Sequence, residues 1–323
     1  MWLKSMQNRS VFLYLNPMTL TELRYIVAVS QKNHFGLAAQ ACFVSQPTLS
    51  IAIKKLEGEL GVRLFERSSK NEIRITEIGQ QVIDQAHIVL QEARILSEIA
   101  QQGKDPLSGT FKLGVIYTIG PYLLPNLIPK LKARAPKLKL IIEENFTANL
   151  HQSLRQGVLD AIIISYPFAE PGIETSPLYE EPFVVALPRD HAWNKRKEIL
   201  PEDLAQQDLM LLGAGHCFRD QVINSCPNCM MGNSEITRSL EGGSLETIRH
   251  MVAAGTGITV LPHTSILHSH HDERLIDFKP FKAPAPSRTV AIAWRKHYPR
   301  KETIATIRET IQTSPLNGVE ILQ

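Results

Sequence analysis

The chain has 323 residues, enough for two or three domains with sizeable cores, and its 43% hydrophobic content is that of an ordinary soluble protein. The formal net charge of +3 at pH 7 advertises no nucleic-acid partner globally, so any such signal must be local. No apolar run approaches the ~18 residues that a membrane span needs. Lys4 and Arg9 precede Val11-Phe12-Leu13-Tyr14-Leu15, an apolar stretch too short for a secretory signal and followed by no small-residue cleavage site. Residues 1–17 therefore read as a disordered extension ahead of a start at Met18, and the protein is expected to be cytoplasmic, with no membrane partner. There the four cysteines, Cys42, Cys217, Cys226 and Cys229, should rest reduced, and a disulfide would be transient and regulatory.

Thr19-Leu20-Thr21-Glu22 has the form of a capping box opening a helix, continued by Leu20, Leu23, Val27 and Ser30 at helical spacing. His34-Phe35-Gly36 is expected to break it, and a short Ala-rich helix follows over Leu37–Cys42. Ser45 is a good N-cap for a third helix, and Pro47 is tolerated in its first turn. Leu49, Ile53, Leu56 and Leu60 form its apolar stripe, and Gly61 closes it. Two helices, a turn and a third helix make a helix-turn-helix. Gln46, Thr48 and Ser50 can reach base edges or phosphates, and Lys54 and Lys55 can meet the backbone. A hairpin after Gly61 makes a wing carrying Arg67, Lys70 and Arg74. Over residues 18–75, eight Lys or Arg oppose five Glu, with the excess clustered after residue 53. Helical patterning alone leaves a small helical domain with a solvated basic face as an equal reading. Cys42, beside Ala39 and Ala41, reads as a small buried hydrophobe.

The order Ala39…Val44-Ser45-Gln46-Pro47-Thr48-Leu49-Ser50…Leu56-Glu57…Leu60-Gly61-Val62…Leu64-Phe65-Glu66-Arg67 resembles the DNA-binding domain of LysR-type transcriptional regulators. The resemblance implies a winged helix-turn-helix over residues 18–76 that binds double-stranded DNA as a dimer. Its DNA-contacting set would be Ser45, Gln46, Pro47, Thr48, Ser50, Lys54 and Arg67.

Residues 77–102 read as a linker helix. Val82, Ala86, Val89, Ala93, Leu96 and Ala100 recur in alternating steps of four and three, a heptad seam suited to dimerisation; a lone amphipathic helix packed on its own domain is the alternative. Residues 103–109 form a hinge by composition.

From residue 110 to 323 strands and helices alternate. Strands are expected over Thr110–Tyr117, Leu138–Glu143, Leu159–Ser165, Phe183–Leu187, Leu209–Leu212, Ile258–Leu261 and Thr289–Trp294. Helices are expected over Pro121–Ala133, Ala148–Gln156, Cys217–Asn224, Leu245–Ala254 and Glu302–Thr313. This is α/β architecture, and sites in it gather at strand C-termini and helix N-termini. Cys217 stands at such a point: Leu209-Met210-Leu211-Leu212 runs into Gly213-Ala214-Gly215-His216-Cys217. A thiol in a first helical turn is stabilised as thiolate by the free N–H groups and the macrodipole. A cysteine after a strand is more often inert core, but His216, Arg219 and a second thiol nine residues on favour redox chemistry.

Gly114–Pro125, Gly215–Gln221, Cys226 and Ser244–Ile258 resemble the hydrogen-peroxide-sensing regulators of the same family, a likeness spanning about residues 18–300. It implies two doubly wound α/β subdomains of periplasmic-binding-protein type, the chain returning to the first near Arg288. It also implies a DNA-binding transcriptional regulator, not an enzyme, switched by reversible Cys217–Cys226 disulfide formation. Cys217 would attack peroxide and Cys226 would resolve. Thr118, Thr147, His216 and Arg288 would position the peroxide, and Arg219 would support the thiolate. Implied partners are hydrogen peroxide, a homo-oligomer arranged as a dimer of dimers, RNA polymerase and a cellular thiol reductant, with no cofactor. Cys226-Pro227-Asn228-Cys229 leaves Cys229 as an alternative resolving thiol and zinc as a minor reading, its spacing being unlike a zinc ribbon. A regulator binding a small-molecule effector in the inter-subdomain cleft is the alternative function. A dedicated thiol peroxidase would have no use for a DNA-binding module.

Overall fold

The computed structural model of the protein describes residues 18–67, 73–102, 105–226, 243–266 and 275–322. Lys70 of the wing and Cys229 lie outside the described residues, and of Arg67 only the backbone is described. The chain divides into two compact units between Gln101 and Gln102.

The first unit contains α1 (Leu20–Lys32), α2 (Phe35–Ala41), α3 (Gln46–Leu60), a hairpin of β1 (Phe65–Arg67) and β2 (Ile73–Ile75), and α4 (Glu77–Gln102). The capping box forms: Thr19 accepts from the Glu22 amide while the Glu22 carboxylate accepts from the Thr19 amide. The expected break falls at Asn33 and His34, after α1 ends at Lys32, but the second helix starts two residues earlier than expected. The His34 side chain accepts from the amides of Gly36 and Leu37, so α2 begins at Phe35. Ser45 caps α3, and Gly61, at φ 69°, ends it. Leu23, Ile26, Val29, Ala38, Leu49, Ile53, Leu56 and Leu64 are the buried centre, whereas Leu60, expected in the stripe, is exposed. The wing is fastened to α3 because Glu57 Oε1 accepts from the amides of Leu64 and Phe65. Burial pushes the half-buried Cys42 thiol up, against the weaker pull of Arg24, which leaves it an unreactive packing residue.

The seam expected on α4 is divided. Ala86 is buried in the core of the first unit beside Ile83, and Val82, Val89 and Leu90 pack against it. Leu96 is 69% exposed. The first half of the stripe therefore covers the domain's own core, since a small domain must enclose its apolar residues.

The second unit has two lobes. In the first, β3 (Gly109–Ile116) runs parallel to β4 (Leu138–Asn145) and β5 (Ala161–Tyr166), joined by α5 (Gly120–Arg134) and α6 (Thr147–Arg155). A long strand, β6 (Ile173–Pro188), passes into the second lobe. There lie β7 (Leu209–Met210), α7 (Cys217–Ser225), α8 (Leu245–Ala253), β8 (Ile258–Pro262) and β9 (Ile276–Pro280). The chain returns through β10 (Ser287–Arg295) and ends with α9 (Lys301–Gln312) and β11 (Glu320–Ile321). The strand order is β4-β3-β5-β10-β6-β8-β7, with β9 and β11 also on β6.

The two-subdomain expectation holds, but the sheet is mixed rather than purely parallel, because β10 is antiparallel to both β5 and β6. β6 is also far longer than the Phe183–Leu187 expected. Its first part pairs with β10 and its last part with β8 and β9, so pairing on both edges holds a segment whose polar residues and prolines hide it from hydropathy. Each lobe keeps its own core, one around Phe111, Leu113, Ile163 and Ile292, the other around Phe183, Val185, Phe218 and Val260.

Thr19→Ala removes the α1 cap and is expected to cost about 1 kcal/mol. Hydrogen–deuterium exchange of the intact protein should show faster exchange confined to α1; unchanged protection there would mean the cap is dispensable.

Candidate functional site

The loop from β7 to α7 is shaped by a tight turn at Gly215. Its φ is +93°, a left-handed backbone that calls for glycine, although a Cβ there would make only ordinary contact with the Phe146 ring at 3.5 Å. His216 is the N-cap residue of α7 and makes no side-chain cap. Its buried ring instead meets Phe146 edge-on at 4.8 Å and Tyr117 at 6.1 Å. Burial lowers the basicity of His216, with a hydrogen bond to the Gly243 backbone opposing the effect. The imidazole is thus a neutral group beside the thiol. Cys217, the first residue of α7, is half-buried among the free amides of the helix start.

Thr118, Thr147, His216 and Cys217 line one cavity together with Tyr117 and Phe146. Its volume is ≈ 10 Å³, about the smallest space that accepts a single water. Thr147 Oγ1 is buried there without a hydrogen-bond partner among the described residues. Four of the expected peroxide-handling residues therefore converge on a space sized for a very small polar molecule.

Arg288 lies behind Thr118 and is fully buried. Its Nη1 donates to Thr118 Oγ1 and its Nη2 to the Thr118 carbonyl, both at 2.9 Å. Its Nε donates to Glu181 Oε2 at 2.8 Å, and the two side chains form an ion pair with 0% exposure on either side. The guanidinium also stands over the Phe218 ring at 5.3 Å. Burial works against the charge on Arg288, but Glu181 and, more weakly, Cys217 hold it firmly protonated. Arg219 is placed differently: its Nη1 donates to the Leu212 carbonyl at 2.7 Å. Two residues along a helix from Cys217, it faces another side, and it pins the strand end that leads into the loop. Cys226 is 2% exposed, in the core of the second lobe at the far end of α7.

Neither Glu181 nor the aromatic pair Tyr117 and Phe146 stands out in the sequence. Each acquires its place only through strand register or loop packing, and only Gly215, just ahead of the His-Cys pair, carries a local signal. Among the described residues no group of three or more His, Cys, Asp or Glu is arranged to hold a metal ion.

In the first unit, Ser45, Gln46, Pro47, Thr48 and Lys54 are exposed and Ser50 is half-buried, on a helix whose opposite face buries Leu49, Ile53 and Leu56. Ser45 Oγ and Thr48 Oγ1 bond each other at 2.8 Å. Lys55 is engaged with Glu22 at 3.0 Å and Glu59 at 3.3 Å, which leaves Lys54 as the freer cation on α3. Ile51 is 68% exposed on α3. No single helix among the described residues is long and apolar enough to cross a membrane.

A helix-turn-helix unit joined to a two-lobed α/β unit with a cysteine at the lobe junction defines a DNA-binding regulator with a sensing domain. Residues 20–80 match the family model of bacterial regulatory helix-turn-helix proteins of the lysR family, and residues 104–315 that of the LysR substrate binding domain. A hydrogen peroxide-inducible genes activator from Pectobacterium carotovorum is 40% identical over 299 residues, covering 91% of this chain and 97% of the relative. A full-length OxyR from Pseudomonas aeruginosa, carrying aspartate for one cysteine, aligns with a TM-score of 0.77 and 50% identity over 93% of this chain and 99% of its own. A peroxide-bound, cysteine-to-serine OxyR from Corynebacterium glutamicum aligns at 0.60 with 30% identity, covering 91% of both chains. The chain belongs to the LysR family of transcriptional regulators, within its OxyR group.

Because the folded His216 titrates below the ordinary histidine value, the unfolded chain takes up its proton first as the pH falls. The stability that the neutral ring contributes is complete above about pH 6.5 and is lost on descending from there through the lowered value. Denaturant midpoints of the second unit should fall as the pH drops below about 6.5, and His216→Gln should flatten that slope; an equally steep slope in the variant would assign it to another group.

Proposed function

We propose that this regulator is switched by hydrogen peroxide through Cys217, and that Cys226 resolves the oxidised thiol. The observation that carries the reading is the cavity: a thiol at a helix start, two threonines, one with an unpartnered buried oxygen, and a neutral histidine around a space of water size. Small-molecule effectors commonly occupy pockets of about 300–1,000 Å³, so the cavity at the thiol favours peroxide over a metabolite.

The thiolate of Cys217 attacks one peroxide oxygen. An S–O bond forms as the O–O bond breaks, sulfur is oxidised by two electrons, and the departing hydroxide leaves as water after taking a proton. The threonine hydroxyls stabilise the oxygen that gains charge. The Cys226 thiol then displaces water from the sulfenic acid, giving the disulfide. The nine residues of α7 put the two Cα atoms roughly 13 Å apart, whereas a disulfide needs them within about 7 Å. Closure therefore requires α7 to unwind. Phe218, Val222 and Cys226 are buried on α7 and at its end, and pulling out each large side chain costs about 1.5–3 kcal/mol, so the second lobe must repack.

That repacking is read out at the DNA. Two copies pair through α4, whose exposed Leu96 extends the seam beyond its own domain, and pairs assemble as a dimer of dimers. Gln46, Pro47, Thr48 and Ser50 meet the bases while Ser45, Lys54 and Arg67 meet phosphates. The altered spacing of the DNA-binding heads changes the contact with RNA polymerase, and a cellular thiol reductant resets the switch.

Footprints of reduced and peroxide-treated protein should differ, and Cys217→Ser should show the reduced footprint under both conditions. Peptide mass mapping after stoichiometric peroxide should find Cys217 joined to Cys226, with Cys226→Ser trapping a sulfenic acid at Cys217. A Cys217–Cys229 disulfide in the wild type would transfer the resolving role to Cys229; identical footprints would remove the switch altogether.

A further inference from the structure

Arg288 and Glu181 face each other in register on β10 and β6, buried where two charges survive only with complete partnering. Glu181 Oε2 takes the guanidinium, while Oε1 accepts from both the amide and the hydroxyl of Thr264. The carboxylate is thus fixed from the second lobe on one oxygen and holds Arg288 with the other. Arg288 in turn reaches Thr118 on the cavity wall, through both the hydroxyl and the carbonyl.

The polarity of this chain has a consequence at the thiol. A guanidinium only donates, so Thr118 Oγ1 must accept from Nη1, and its single proton is left for another acceptor. Thr118 lines the same small cavity as Cys217. We propose that Glu181 is a positioning residue for peroxide reduction: through Arg288 it locks the Thr118 hydroxyl as a hydrogen-bond donor into the Cys217 cavity. This rests on the peroxide reading above. As sulfur takes one oxygen and the O–O bond breaks, the other oxygen gains negative charge, and a donor already oriented toward it stabilises it without reorganisation. Glu181 touches neither peroxide nor sulfur and acts only through Arg288.

The test compares two reactions of Cys217 by site-specific mass spectrometry in the full chain: oxidation by hydrogen peroxide, trapped with dimedone, and alkylation by iodoacetamide, whose leaving iodide needs no such donor. Glu181→Gln should slow oxidation by about 10–100-fold, up to the loss of one oriented donor, with alkylation changed by less than about threefold. Thr264→Val, which keeps the ion pair and removes one bond to Glu181, should shift the ratio the same way by a smaller factor, and it serves if Glu181→Gln fails to fold by circular dichroism. An unchanged ratio in the folded variants, or equal loss of both reactions, would overturn the role of Glu181. A wild-type Cys217 that alkylates but does not oxidise would instead overturn the peroxide reading itself.

Discussion

The length of one helix constrains everything else in the sensing unit. Cys217 opens α7 and Cys226 follows its last turn, buried in the second core. While α7 is helical the sulfurs cannot meet, because a helix rises about 1.5 Å per residue and a disulfide spans little more than a turn of it. The same helix gives the thiol its amides and macrodipole. If Cys226 is the resolving thiol as proposed, the geometry that favours a reactive Cys217 also withholds its partner, and the two functions of α7 would belong to different states.

What α7 holds in place explains why its unwinding would not stay local. Phe218 packs edge-on against Phe183 at 4.9 Å and lies beneath Arg288. Gln221 donates to Ser165 of the first lobe at 2.6 Å, and Arg219 holds the end of the preceding strand segment. Near the same junction Tyr122 of α5 donates to Glu246 of α8 at 2.9 Å. Burial and the adjacent carboxylate keep that phenol protonated, so it remains a donor, and Glu246 is also paired with Arg249 at 2.7 Å. The lobes are joined by oriented polar bonds and by two continuous strands, β6 and β10. A displaced Phe218 would disturb the Arg288 side of this junction first, because the ring and the guanidinium are in contact.

The helical module was legible because local rules decide it: the capping box at Thr19, the Ser45 cap, and the Leu49-Ile53-Leu56 period each act within a few residues. The break at His34 was legible too, but the start of α2 was placed two residues late, because a histidine before Phe-Gly resembles a loop while its ring nitrogen can cap as a serine would. In the sensing unit, alternation exposed the α/β architecture, and the two lobes and the return near Arg288 entered through resemblance, but half of β6 stayed hidden because its strand character comes from neighbours on both edges. The chemistry divides in the same way. Cys217 and His216 are adjacent in the chain and could be singled out there, and Thr118, Thr147 and Arg288 entered through resemblance. Glu181 had neither route. Its place depends on the register of β6 against β10, which no local pattern encodes.

Size and polarity together account for discrimination at the thiol. The cavity that Cys217 lines measures ≈ 10 Å³, with Phe146 and His216 among its walls. Water fits the space, but it carries no O–O bond for sulfur to cleave. Peroxide is scarcely larger than water and offers two oxygens; on the proposed reading one would meet the buried Thr147 oxygen while the other accepts from Thr118. On the proposed reading the site would select by reaction as well as by binding: the oxygen accepting from Thr118 would be the one that gains charge, and stabilising that charge accelerates cleavage only for a molecule whose bond can break.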